Sequence, residues 1–536
     1  MPAVRFASPG QADATYQPGA VSASAEEPGG TITAETASRF FRWLCVGHVL
    51  VWTLLPALLY HNAPADSLEG LAWGRMWLFG YDKHPFLAPW LTALFSDLFG
   101  TVGWPIYLLG QLSVVTCFWA VRRIALPIVG PVGALLAVVV LEGIYYYNIS
   151  AITFNPNVAM LATWALATWA FREALQRPDL FRWVRAGLFA GLATLAKYES
   201  AILFVVMLFA LFALPEGRRA MRGKSFLAGI AAAVLVASPN LWWLITHDFA
   251  PFHYAMDSMN LAQGGLQPGT HASAQARHPY HAPLWFLLEQ IGALLPMLLL
   301  YAPFLRWRDR NFSLRSFDRR FILIMAVGPI LVTELFAVTA DIKLVARWGY
   351  SFFSLAGLAL VLFFPPQLSA ARWRRFGVLG LALLLVQVCG VCWSILANPW
   401  LSGKPPYTTA APRHEEAEFM HTWWHERQPG PLKYIAGDRW VISGMTAYSD
   451  ERPTPYFEFS DAQSPWMNEA DLRRDGGVLV HKLTGDGDRD DVISAIRHRF
   501  PGLEAETVTA FAHDTRAPVP PERLWIAILP PAAGRP

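Results

Sequence analysis

Residues 125–147 read ALPIVGPVGALLAVVVLEGIYYY, and this stretch sets the class of the chain. Its only carboxylate is Glu142. A run of about 20 apolar residues crosses the hydrocarbon core of a bilayer as a helix. Comparable runs lie near 41–60, 103–121, 155–171, 185–197, 200–214, 226–246, 283–304, 320–340, 346–364 and 375–396. With 125–147 they predict about eleven transmembrane helices, the fifth and sixth short enough to form one bent element. Composition agrees: of 536 residues 54% are hydrophobic and 15% charged, where soluble domains carry about 25% charged residues.

The net charge of +3 says little, but its placement says much. Alternate connectors hold Arg122 and Arg123; Arg172, Arg177, Arg182 and Arg185; Arg218, Arg219, Arg222 and Lys224; the run from Arg306 to Arg320; and Arg372 to Arg375. These connectors contain roughly nineteen Lys and Arg against about six in the others, the positive-inside pattern. The N-terminus is therefore expected in the cytoplasm of a multi-pass inner (plasma) membrane protein. The loops 61–102 and 247–282 and the tail from 397 are expected on the periplasmic or extracytoplasmic side.

Residues 1–36 are rich in Ala, Ser, Pro, Gly and Glu and predict a disordered tail. The membrane unit is expected over 37–396 and a soluble α/β domain over 397–536. In that domain Leu432 to Ala436, Val478 to Val480 and Leu524 to Leu529 predict strands, and Asp490 to Arg499 a helix. Cys389 and Cys392 form a C-x-x-C, but they sit mid-span among Leu and Val and are expected to be packing residues.

The first outer loop has the densest chemistry. It contains Asp66, Glu69, Trp73, Arg75 and Trp77, then Gly80-Tyr81-Asp82-Lys83-His84-Pro85. On a helix Asp66 and Glu69 share a face, as do Trp73 and Trp77. A helix lying in the membrane interface is one reading of such a segment. Pro85 is expected to end or kink it.

This loop resembles that of GT-C fold membrane glycosyltransferases, in particular family 39-like proteins related to bacterial protein mannosyltransferases and the lipid A aminoarabinose transferase. Further matches are Phe154-Asn155-Pro156-Asn157, Ala196-Lys197-Tyr198, and Lys343 with Arg347-Trp348. The resemblance covers about residues 40–400. It implies inverting transfer of a sugar from a polyprenyl-phosphate donor to a lipid, glycan or protein acceptor of the cell envelope. It implies Asp66 as the base, with Glu69 as the fallback, since a hydroxyl nucleophile needs a carboxylate beside it. A lipid-phosphate leaving group needs fixed cations. Arg75, Lys83, Lys197, Lys343 and Arg347 fall at predicted outer ends, with Tyr81, His84 and Tyr198 beside them in the matched motifs.

The chain departs from the family at Ser67, where relatives have Glu, at Phe86, where they have a second Pro, and at Asn155 and Asn157, where an Asp is common. The last departure weakens a second acid or a metal ligand there. No residue is assigned to a metal, and a divalent ion as cofactor stays open. Glu142, Glu289 and Glu334 fall in outer halves of their spans, so an outward polar chamber is expected to collect them together with Asn155 and Asn157.

Two motifs in the tail do not meet their templates. The run Asp486 to Asp491 lacks the Gly and Glu of a calcium loop. His421 and His425 stand one helical turn apart, a spacing zinc sites use, yet Thr422 replaces the Glu of a zinc protease; two unrelated surface histidines are expected. The rival function is a transporter or flippase of lipid-linked substrates without catalysis. It would show repeated halves and broken helices, and no repeat is visible. No nucleic-acid partner is expected.

Overall fold

The computed structural model of the chain describes residues 32–261, 281–340, 344–406, 408–483 and 488–532. Lys343, most of the tail 1–36, residues 262–280 of the second outer loop and residues 484–487 lie outside the described residues. The helices of the first unit are α1 Ala34–Leu59, α2 Ala65–Gly74, α3 Leu87–Phe99, α4 Trp104–Val139, α5 Pro156–Gln176, α6 Leu180–Ala196, α7 Ala201–Ala213, α8 Pro215–Ala220, α9 Lys224–Thr246, α10 Ala250–Leu261, α11 His281–Tyr301, α12 Phe317–Ala340, α13 Ala356–Phe363, α14 Ala370–Cys392 and α15 Asn398–Ser402. The second unit runs α16 Arg413–His425, β1 Tyr434–Gly437, α17 Arg439–Tyr448, β2 Thr454–Phe457, α18 Glu469–Asp475, β3 Gly477–Lys482, α19 Asp488–Arg499, β4 Glu504–Phe511 and β5 Glu522–Leu529.

Every expected span holds helix, but the spans are not equal. Among the described residues six helical segments are long and apolar enough to cross a membrane. The expected second and third spans run as one segment from Trp104 to Gly143. Their break is at Gly130 (φ 69°), between Pro127 and Pro131, and not at Arg122 and Arg123. Arginines tolerate a helix, whereas two prolines and a residue at positive φ do not. The expected span 346–364 opens with a 3₁₀ turn, Ala346–Gly349, and becomes α-helical only at Ala356. Cys389 and Cys392 are free thiols in α14. Helix α1 starts at Ala34, inside the expected tail, because the Thr33 hydroxyl accepts the Thr36 N–H at 3.1 Å and caps it.

Small residues bring the helices together. Gly187 of α6 faces α9 so closely that a Cβ there would stand 1.9 Å from the Gly229 carbonyl oxygen. Helix α5 is buried along nearly its whole length and packs on both α4 and α6.

The second unit is a five-stranded mixed sheet in the order β2-β1-β3-β5-β4. The pairs β1–β2 and β1–β3 are parallel, while β3–β5 and β4–β5 are antiparallel. Ile435, Val478 and Ile526 share one core with Met420, Trp424 and Met445 of the covering helices; Leu479 and Trp525 share the other with Ile493 and Phe500. The first of these cores continues into Trp73, Tyr81 and Phe86 of the outer loop. Helix α17 packs against α2, so the sheet is seated on the loop that holds the matched motif.

Candidate functional site

Helix α2 sets the site, and it is not the surface helix that its two tryptophans suggest. Ser67, Leu68, Glu69, Leu71, Ala72 and Trp73 are all buried. Trp77 is 49% exposed, because the helix stops at Gly74 and Trp77 takes a positive φ of 50°. The hydroxyl of Ser67 donates to the Phe154 carbonyl at 2.9 Å and ties α2 to the start of α5.

Asp66 and Glu69, one turn apart, meet different surroundings. The side chain of Asp66 is 33% exposed, and its Oδ2 lies 3.9 Å from the Arg347 guanidinium. The same oxygen accepts the side-chain N–H of Asn155 at 3.1 Å. Burial raises the Asp66 pKa first, the Glu69 charge raises it further, and Arg347 and Asn155 oppose both; the net shift is upward. Glu69 is 7% exposed, and its Oε1 accepts from Lys83 Nζ at 2.8 Å and Arg439 Nη1 at 2.9 Å. Burial works to raise its pKa, but Lys83 and Arg439 outweigh that and hold it below the usual range.

Asn155 has two tasks. As the N-cap of α5 its Oδ1 accepts the N–H groups of Asn157 and Val158, which leaves its N–H₂ for Asp66. Asn157 Oδ1 accepts from Lys197 Nζ at 2.6 Å. Lys197 ends α6 in an extended conformation and also pairs with Glu199. Arg347 sits on the 3₁₀ turn whose Ala346 carbonyl accepts from Tyr146 at 2.7 Å and from Gln290 at 3.1 Å.

The segment 80–85 folds back on itself, with the Tyr81 N–H donating to the His84 carbonyl at 3.0 Å. Tyr81 is fully buried and stacks on Trp73. His84 packs its edge against Trp73, and burial with Lys197 nearby depresses its pKa to about 3, so the ring is neutral. The Lys83 ammonium lies over the rings of Tyr254 at 5.1 Å, Trp440 at 5.3 Å and Trp73 at 5.8 Å. Tyr254 belongs to α10 in the second outer loop, and Phe252 of the same helix packs on Tyr198. That loop therefore reaches the site.

Four predicted positions fall elsewhere. Arg75 bonds Asp97 of α3 at 3.3 Å and takes no part in the cluster. Glu142 pairs with His48 Nδ1 at 2.9 Å, and His48 Nε2 lies 3.0 Å from Gln111 Oε1, a polar knot between α1 and α4. Glu289 is on the exposed face of α11; the neighbouring Gln290 is the residue that turns inward. Glu334 is half-buried on α12 with Oε1 unpaired. Sharing an outer half is a statement of depth, and helix rotation decides which side chain faces the site.

Three participants escaped the sequence reading. Arg439 opens α17 directly after β1 and is buried. Its Nη2 bonds Asp82 Oδ2 at 2.6 Å and Gln463 Oε1 at 2.5 Å. Asp82 stood inside the quoted motif beside Lys83 and could have been chosen. Glu199 is one residue past the matched Lys197-Tyr198. Nothing in the local sequence marks Arg439, which lies 370 positions from Glu69. The assembled site holds four carboxylates, Asp66, Glu69, Asp82 and Glu199, each beside a protein cation.

Comparison with known proteins gives a consistent picture. Residues 83–243 match the family model described as dolichyl-phosphate-mannose-protein mannosyltransferase. The chain is 27% identical over 53% of its length to the lipid A galacturonosyltransferase RgtD of Rhizobium johnstonii, and the match spans 57% of that relative. It is 27% identical to the lipopolysaccharide core galacturonosyltransferase RgtA of the same organism, over 84% of this chain and 87% of the relative. Crystal structures of ArnT from Cupriavidus metallidurans, apo and bound to undecaprenyl phosphate, align with a TM-score of 0.58 and 14% identity. They cover 93% and 94% of this chain and all of theirs. The chain is thus a multi-pass membrane protein with the GT-C fold of membrane glycosyltransferases.

Proposed function

We propose that the chain transfers a sugar from a polyprenyl-phosphate donor to an acceptor of the cell envelope, at the outer face of the inner membrane. The observation that carries this reading is Asp66, a partly exposed carboxylate between Arg347 and Asn155 at the mouth of a cation-rich site. In this reading Asp66 takes the proton of the acceptor hydroxyl as that oxygen attacks the anomeric carbon. The sugar–phosphate bond breaks on the opposite face, with inversion, and the lipid phosphate leaves. A general base with a raised pKa works closer to neutral pH than an ordinary carboxylate.

The departing phosphate gathers negative charge, and Arg347, Lys197 and Lys83 are the cations placed to meet it. Glu69 is assigned to positioning, because both cations that it holds keep it ionised and occupied. Neutral His84 and the Lys83 ammonium beneath Tyr254 and Trp440 line the side assigned to donor sugar. The two sequence relatives are named for galacturonic acid transfer to lipid A and to lipopolysaccharide core. A polyprenyl-phosphate uronic acid and a lipid A acceptor are therefore the first pair to test.

The experiment is transfer by the purified chain in nanodiscs, read by mass spectrometry of the acceptor. A sugar-sized gain that Asp66→Asn removes supports the proposal. Full transfer by Asp66→Asn overturns the assigned base. No transfer to lipid, glycan or protein acceptors, with movement of the lipid-linked sugar across the bilayer, would favour the flippase reading.

A further inference from the structure

We propose that His421, His425 and Glu451 form a binding site for a divalent transition-metal ion, with Zn²⁺ the ion that its donors suit. The site stands apart from the transfer reaction and uses none of its residues. His421 and His425 are one turn apart on α16, and their rings lie 4.5 Å apart between centroids. The third donor comes from the turn after α17, where Glu451 Oε1 is 3.0 Å from His425 Nε2. Ligand atoms of all three residues lie within 4.8 Å of one another. In a tetrahedral zinc site donors bound at about 2.0–2.2 Å are about 3.3 Å apart. On binding, rotation of the three side chains would have to close that difference.

The surroundings favour a ligand set over a chance encounter. The second carboxylate oxygen of Glu451 accepts the Leu432 N–H at 3.1 Å, which orients the carboxylate toward the histidines. Outer hydrogen bonds of this kind fix the direction of a metal ligand. Two imidazoles and one carboxylate select a borderline transition metal over Mg²⁺ or Ca²⁺, which prefer all-oxygen shells. Three protein donors leave a fourth position for water. The sequence alone presents two histidines without a third ligand. The packing of α16 on α17 supplies it from 26 residues downstream.

A metal here would clip α16 to the turn after α17. Arg452, next to Glu451, bonds Asp97 of α3 at 3.3 Å, and Asp97 also accepts from Arg75. The clip would therefore brace the point where the sheet unit grips the membrane unit.

The test uses the full-length chain, free of any histidine tag, stripped with chelator and held in nanodiscs. Co²⁺ is titrated and followed by its visible ligand-field absorption; Zn²⁺ then competes, and bound metal is counted after gel filtration. One Co²⁺ per chain, displaced by Zn²⁺, is expected. His421→Ala and His425→Ala should abolish the absorption, and Glu451→Gln should weaken binding at least about tenfold. Zn²⁺ should raise the melting temperature of the wild type and leave that of His425→Ala unchanged, and both proteins should melt alike in chelator. The proposal fails if the wild type takes up neither metal at micromolar concentration. It also fails if the double variant His421→Ala/His425→Ala, folded by the same melting criterion, binds as the wild type does.

Discussion

The two ends of the helical unit carry the same kinds of charge and treat them in opposite ways. At the arginine-rich end the contacts are separate pairs, short-range for Arg182 and Arg185 and long-range for Arg122 and the buried Arg172. Arg182 pairs with Asp179 one turn before it, Arg185 lies 3.5 Å from Glu173, Arg122 donates to Ser38, and Arg172 bonds Asp318 at 2.5 Å. At the other end Asp66, Glu69, Asp82 and Glu199 interleave with Lys83, Lys197, Arg347 and Arg439 across segments far apart in sequence. Charges at a water boundary are satisfied by any neighbour or by solvent. Charges held with little water need dedicated partners, and the fold must deliver them. In the proposed reaction the second arrangement serves as a preorganised field for the charge that develops.

The largest expected effect tests that field directly. Asp66→Asn should lower the rate of sugar transfer by about 10²–10⁴-fold, the usual contribution of a general base. Its melting temperature should stay near that of the wild type, because Asn keeps the shape. A loss of both activity and folded protein would mean that Asp66 is structural.

Next is Arg439→Ala, which strips the buried Asp82 of the guanidinium that bonds it and leaves Glu69 with Lys83 alone. Breaking such a pair costs about 3–5 kcal/mol, readable by denaturant titration. A cost below about 1 kcal/mol would show that the apolar core shared by α2, α17 and the sheet joins the two units by itself.

The third effect is on pH dependence. Asp66 must be ionised to act as base, so activity should fall as pH drops through its pKa. That acid limb should lie above about 3.9, the ordinary Asp value, because burial and Glu69 raise it. Arg347 pulls the value down, so Arg347→Gln should move the limb to higher pH. A limb unmoved in Arg347→Gln would separate Arg347 from Asp66. The smallest effect is expected at the opposite end, where Arg182→Ala should change stability by less than about 1 kcal/mol. A larger cost there would break the contrast between the two ends.

How much of this was legible depended on distance along the chain. The apolar runs gave the helices, because a bilayer imposes a length and a composition on any segment that crosses it. The outer-loop motif gave Asp66, Glu69, Lys83 and His84, which are close in sequence and stay close in space. Lys197, Arg347, Asn155 and Asn157 were found by motif, and the structure joins them to Asp66 by a chain of side-chain contacts. Glu289 was misplaced by one position of helix rotation, with Gln290 taking the inward place. Glu142 was drawn instead to His48, a partner no pattern announces.

The sequence by itself determined a polytopic helical protein, three of the five strands of its C-terminal unit and most groups of one charged loop. All of these follow from local composition, since lipid and hydrogen-bonding demands act residue by residue. Only the tertiary structure decided that Arg439 reaches back to Glu69 and Asp82, that Tyr254 covers Lys83, and that Glu451 meets His425. Those contacts depend on how helices rotate and on where a sheet docks, and both are set by packing between segments from 26 to 370 residues apart.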